Sequence, residues 1–73
     1  MSFTYNDGDS EVHVGPSRIE RDKVLVLVIG PEPNEVCRAF RAAAYETGLG
    51  NGMDCPRPIV TDDGRWATLG RVW

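Results

Sequence analysis

The chain has 73 residues, fewer than the roughly 100–150 typical of a domain, which leaves room for one compact unit over residues 1–73 and excludes a second. Hydrophobic residues make up 41% and charged residues 26%, the balance of a globular chain rather than a disordered or collagen-like one. The net charge of −3 opposes non-specific attraction to nucleic acid or anionic membrane, and no apolar run approaches the roughly 20 residues that a membrane-spanning helix needs.

Charge is unevenly placed: residues 1–36 carry seven acids and three bases, residues 37–73 four acids and five bases. Arginine outnumbers lysine seven to one and glutamine is absent, a usage that suits a GC-rich genome such as that of an actinobacterium or one of its phages. Met1-Ser2-Phe3-Thr4-Tyr5-Asn6-Asp7 lacks the basic start and apolar middle of a secretory signal, so a cytoplasmic location is expected. Cys37 and Cys55 show no Cys-x-x-Cys spacing and are expected to stay as thiols there.

Phe3-Thr4-Tyr5 and Glu11-Val12-His13-Val14 flank Asn6-Asp7-Gly8-Asp9-Ser10, a cluster of turn formers that predicts a loose hairpin. Gly15-Pro16-Ser17 then breaks the chain, and the charged residues 18–23 read as a turn or strand edge. Val24-Leu25-Val26-Leu27-Val28-Ile29 is rich in β-branched residues, too short for a helix and stopped by Gly30-Pro31; it predicts a central strand. Both of its faces are apolar, the pattern of a strand buried on both sides.

Pro31-Glu32-Pro33-Asn34-Glu35 supplies a first-turn proline, an asparagine able to cap, and acids that complement the helix dipole, so a helix starts near residue 33. Val36, Phe40, Ala43 and Thr47 form its core stripe, with Cys37, Ala39 and Ala44 at the margins. Gly48 is placed to end the helix, with Leu49 packing back onto it. Residues 49–58, with Gly50-Asn51-Gly52 and Cys55-Pro56-Arg57-Pro58, read as an irregular connection. Ile59-Val60-Thr61 and Arg65-Trp66-Ala67-Thr68-Leu69 around Asp62-Asp63-Gly64 predict a hairpin, with Gly70 a bulge or strand end.

The resulting expectation is an α+β domain, order ββ-β-α-ββ, with a small mixed or antiparallel sheet of about four or five strands on a single helix. One helix covers one sheet face, whereas the central strand asks for cover on two. Either the N-terminal segment folds across the second face or a second copy of the chain does, and the small size favours a homodimer.

Candidate sites follow from the same reading. Arg38, Arg41 and Tyr45 share a helical stripe opposite the core side and form a docking surface or a solvated face, with Arg38 pairing Glu35 and Arg41 over Tyr45. Trp66 and Trp73 with Arg57, Arg65 and Arg71 combine aromatic and basic groups of the kind that grips single-stranded nucleic acid, although Trp66 is the better candidate for closing a small core. His13 is expected to point away from Val12 and Val14 as a solvent or edge residue, and no metal spacing is present. The segment from Asn6 to Glu11 resembles a fragment of a calcium loop but lacks its twelfth-position glutamate, so a turn is expected. Cys37 lies in the first turns of the helix without a partner base and reads as a structural cysteine. Two prolines and two glutamates around the helix start disfavour a phosphate site.

No convergent acid, base or nucleophile set is visible, so the chain is expected not to be an enzyme and to need no cofactor. The favoured reading is a stand-alone protein-interaction module, for instance a phage or accessory protein that modulates a host protein. A nucleic-acid-binding module using the helix and C-terminal hairpin arginines and tryptophans is the alternative, and a small-molecule binder or enzyme at a dimer cleft comes last.

Overall fold

The computed structural model describes residues 2–16, 24–46 and 57–72, apart from the side chains of Arg71 and Val72. Within them run β1 (Phe3–Asp7), β2 (Ser10–Pro16), β3 (Val24–Gly30), α1 (Pro33–Glu46), β4 (Ile59–Val60) and β5 (Trp66–Val72). The strands form one sheet in the order β1-β2-β3-β5-β4, antiparallel at every junction. The fold is α+β, and α1 lies across one face, over β3 and its neighbours β2 and β5. No helix among the described residues is long and apolar enough to cross a membrane.

The first hairpin is tighter than its sequence predicts. Asp7 pairs with Ser10, leaving Gly8-Asp9 as a two-residue loop, and Gly8 sits at φ 62°. A glycine at the first central position supplies the positive φ that a strand-compatible turn requires. The fragment with calcium-loop character is therefore hairpin. Nor does Gly15-Pro16 break the strand, because β2 runs on and Pro16 pairs with Val24.

The second hairpin follows expectation more closely. Gly64 N–H donates to Thr61 O at 3.1 Å and Thr61 N–H to Arg65 O at 2.8 Å, a three-residue loop that needs a left-handed residue at its end. Gly64, at φ 83°, is that residue. Gly70 is neither a bulge nor an end: it pairs with Val26, and the ladder continues through Arg71 opposite Leu25 and Val72 opposite Val24.

Helix α1 begins with Pro33 as its first residue, where the missing N–H costs nothing. Val36 N–H donates to Glu32 O at 3.1 Å, so Glu32 occupies the cap position and Asn34, expected as a cap, lies inside the first turn. Val36, Ala39, Phe40, Ala43 and Ala44 are its buried residues. Small alanines around one phenylalanine let the helix approach the sheet closely, where Val12, Val14, Val26 and Val28 meet it.

Strand β3 is central, as its composition requires, but its burial is one-sided. Val26 and Val28 are fully buried beneath α1, whereas Leu25, Leu27 and Ile29 on the opposite face are only half-buried. The expectation of enclosure from both directions therefore fails within one copy. The N-terminal segment does not fold across: it lies in the plane of the sheet as β1 and β2. The charged turn, the glycine helix end with Thr47, and most of the irregular connection fall outside the described residues.

Candidate functional site

Directly opposed residues of an antiparallel ladder share a face, so the register identifies what surrounds the leucines of β3. Leu27 stands between His13 on β2 and Leu69 on β5; Ile29 stands between Glu11 and Ala67, and Ala67 opposes Ile59 on β4. Across the helix-free face, β1 and β2 thus present Thr4, Asn6, Glu11 and His13, while β3, β5 and β4 present Leu25, Leu27, Ile29, Ala67, Leu69 and Ile59, and the register also gives Arg71 of β5 a position on this face beside Leu25. Half of the face is polar and half apolar. Leu69 is 54% and Ile59 66% exposed, large for aliphatic side chains in a contiguous patch.

The surface is not flat. A hollow of about 440 Å³ lies toward β1 and β2, bordered by Ser2, Thr4, His13 and Leu25, and one of about 340 Å³ lies toward β4, bordered by Arg57, Ile59 and Ala67. Leu27 and Leu69 border both.

His13 is half-buried on this face and points away from Val12 and Val14, as expected. It is not an edge residue, because β1 pairs outside β2. Its Nδ1 lies 3.1 Å from Thr4 Oγ1 and its Nε2 lies 3.7 Å from Glu11 Oε2, which closes the polar margin of the face with neighbouring side chains. No group of three or more histidine, cysteine, aspartate or glutamate side chains converges to hold a metal among the described residues.

Of the residues singled out in the sequence, Arg57 borders this face and Arg71 takes a position on it opposite Leu25; Arg38, Arg41, Tyr45 and Trp66 lie elsewhere. Arg38, Arg41 and Tyr45 are exposed on the outer side of α1, Tyr45 at 80%. Arg38 does pair with Glu35, donating from Nη2 at 3.0 Å and from Nε at 3.3 Å to Oε2, and it also reaches Asp7 Oδ1 at 3.3 Å. These hydrogen bonds, to Glu35 foremost and then Asp7, hold its guanidinium further above its ordinary value. Arg38 therefore ties the helix to the β1–β2 turn and is partly neutralised as a docking charge.

Arg65 donates from Nε to Asp63 Oδ2 at 2.8 Å. Asp63 also accepts from the Thr61 hydroxyl, and this bond, followed by that of Arg65, lowers its pKa. Trp66 is half-buried and packs against the core on the helix side, the core-closing role expected of it. Arg71 lies in β5 opposite Leu25 with its side chain outside the described residues, as is the whole of Trp73. The two tryptophans and three arginines are thus not brought into one described aromatic and basic surface. Cys37 is half-buried on α1, and Cys55 falls outside the described residues.

Sequence reasoning named none of Leu27, Ile59 or Leu69 as a site. Their signal was present: β2 alternates apolar and polar residues, whereas β3 does not. Compared with known family models, curated proteins and solved structures, the chain matches none.

Proposed function

We propose that this chain is a small protein-interaction module that docks through the helix-free face of its sheet. The observation that carries the reading is the contiguous apolar surface of Leu25, Leu27, Ile29, Leu69 and Ile59, with Leu69 and Ile59 more than half exposed. A sheet face that meets water permanently favours alternation to polar residues, and β1 and β2 follow that rule on the same face with Thr4, Asn6, Glu11 and His13. The change to aliphatic side chains at β3, β5 and β4 supports a surface kept for contact rather than solvent. A cytoplasmic setting and a role as a phage or accessory protein acting on a host protein suit this reading.

Nucleic-acid binding is less well supported. Arg38 is engaged by two carboxylates, Arg65 by a third, and Trp66 by the core. Arg41 and Tyr45 remain an exposed pair on the opposite side of the molecule, available as a secondary contact.

The test is a crosslinking capture from a host lysate with the native chain and with Leu69→Lys. Leu69 is exposed enough to accept lysine without unfolding, which circular dichroism checks. A product formed by the native chain and lost in the variant supports the proposal. Capture that is indifferent to Leu69→Lys, or displaced by Arg41→Glu instead, contradicts it.

A further inference from the structure

Independently of the helix-free face, we infer that the β1 edge of the sheet is a strand-pairing site whose occupant is the β1 edge of a second copy. The two strands run antiparallel about a two-fold axis that is normal to the sheet and passes between the two Tyr5 residues. Backbone polarity sets what this edge accepts, and the contrast between the two edges of the sheet selects a second copy.

The β1–β2 hairpin fixes which backbone groups point outward. Its two-residue loop closes on Asp7 and Ser10, and in such a hairpin the closing residues exchange both ladder hydrogen bonds. Alternation then turns the N–H and C=O of Phe3, Tyr5 and Asp7 toward β2, and those of Thr4 and Asn6 toward the open side. Pro16 agrees with this phase: it faces away from β3, so its missing N–H takes nothing from the β2–β3 ladder. Thr4 and Asn6 are exposed, and among the described residues nothing hydrogen-bonds to their outward groups. Donors and acceptors thus stand at strand spacing, a template for an extended backbone.

The β4 edge resists such pairing. It has two residues, Ile59 and Val60. The same alternation, counted from the bond between Thr61 and Arg65, turns Val60 and Pro58 outward, and proline has no donor to offer. Short length and proline are devices that keep edges from pairing. β1 carries neither: its five residues pair regularly, with no proline, lysine or bulge between Phe3 and Asp7. A sheet with one open and one blunted edge extends once. Joining two open edges about a two-fold axis leaves a blunted β4 edge at each end, so assembly stops at a dimer.

β1 is also complementary to its own reverse. With Tyr5 opposite Tyr5 of the second copy, Thr4 of each copy opposes Asn6 of the other. Each such pair exchanges both ladder hydrogen bonds, which uses every outward group. Phe3 is 54% exposed and stacks on Tyr5 at 6.0 Å between ring centroids; the stacks of the two copies join into one aromatic row on the helix side. Asp7, the only charge in β1, then opposes Phe3 of the other copy. The two carboxylates stand at opposite ends of the junction, about 14 Å apart along the strands, beyond the screening length of about 8 Å at physiological salt. Parallel pairing would bring both to the same end. Helix α1 lies over β3, β2 and β5, set back from the junction.

Sedimentation equilibrium of the full chain from about 50 μM to about 2 mM tests the inference, a range suited to a junction one strand wide. A monomer–dimer equilibrium is expected. As concentration rises, the amides of Thr4 and Asn6 should exchange with solvent more slowly, while that of Val60 on the blunted edge stays unchanged. Asn6→Pro removes an outward donor but no bond within the hairpin, and should weaken dimerisation at least about tenfold, with circular dichroism checking the fold. Leu69→Lys should leave dimerisation unaltered.

A native chain that stays monomeric throughout overturns the inference, as do species larger than a dimer. So does a dimer whose Thr4 and Asn6 amides gain no protection, or one lost in Leu69→Lys and kept in Asn6→Pro. The amide measurement needs no variant and decides the matter if Asn6→Pro does not fold. Failure here leaves the proposed docking through the helix-free face standing, since Leu69 takes no part in the β1 junction.

Discussion

Adding one methyl group at Gly30 tests how closely the helix and sheet are packed. Gly30 has no positive φ to protect, so the cost of Gly30→Ala is steric. A Cβ there would lie 2.4 Å from Ser10 Oγ, 3.1 Å from Val36 Cγ2 and 3.2 Å from Ser10 Cβ. The first distance is prohibitive; the others ask their neighbours to yield by a few tenths of an ångström. Overpacking of this kind costs about 1–3 kcal/mol, and the stiffer unfolded chain returns about 0.4–1 kcal/mol, leaving a net loss of about 1–2 kcal/mol.

Ser10 provides the control. Its hydroxyl is buried and has no hydrogen-bond partner, so Ser10→Ala should be neutral or stabilising by up to about 1 kcal/mol. It also removes the prohibitive contact. In the Ser10→Ala background, Gly30→Ala should therefore cost within about 0.5 kcal/mol of nothing, a coupling of about 1 kcal/mol or more between the two sites. Urea unfolding of the four proteins at one fixed low concentration measures this, provided their m-values agree. Equal costs of Gly30→Ala in both backgrounds would falsify the argument that the hydroxyl is the obstacle.

Gly64 presents the opposite case: a Cβ would meet nothing within 4 Å, but φ is +83°. Gly64→Ala should lose about 1–2 kcal/mol through backbone conformation alone, with Gly64→Asn losing less; equal losses in urea unfolding would argue against this account. Phe40 is fully buried, and Phe40→Ala should cost about 3–5 kcal/mol, enough to unfold so small a domain; a native-like circular dichroism spectrum and melting transition would contradict that. Burial, then Glu46 and Asp7, raise the Tyr5 pKa above its ordinary 10.0. The native state therefore holds this proton more tightly than the unfolded chain, so the contribution is complete below about pH 10 and is lost as pH climbs through the higher folded value. Stability should fall more steeply above pH 10 in the native chain than in Tyr5→Phe, and parallel pH profiles would refute the assignment.

How far the sequence could be read depended on whether a signal was local. The β4–β5 hairpin was legible because Asp62-Asp63-Gly64 places a glycine where a left-handed residue is required. The helix was legible because its apolar spacing and Pro33 act within one element. Its cap was not, since Asn34 competes with Glu32 and chain direction decides between them. Facing was harder still. That β3 was apolar on both sides was plain, but not that one side would be left half-buried, because cover comes from elements distant in sequence. The polar candidates Arg38 and Arg65 drew attention by residue type, yet Asp7, which partly neutralises Arg38, lies 31 residues away. The leucines of β3 were read as a face in need of cover rather than as a site, because an apolar residue in a strand ordinarily means core.

Within β3 the alternation is one of shape rather than polarity, and this explains why the two faces behave differently. Val26 and Val28 point to α1, and Leu25, Leu27 and Ile29 point away. Valine is short and stiff at χ1; together with Ala39, Ala43 and Ala44 it forms a smooth, close contact that a methyl group at Gly30 disturbs. Leucine extends further from the sheet and can repack at modest cost, which suits a contact that forms and separates. Exchanging the sets, so that leucine faced the helix, would overfill a space fitted to valine and alanine. The helix side is therefore committed to the fold, and the side that tolerates change is the one available for association.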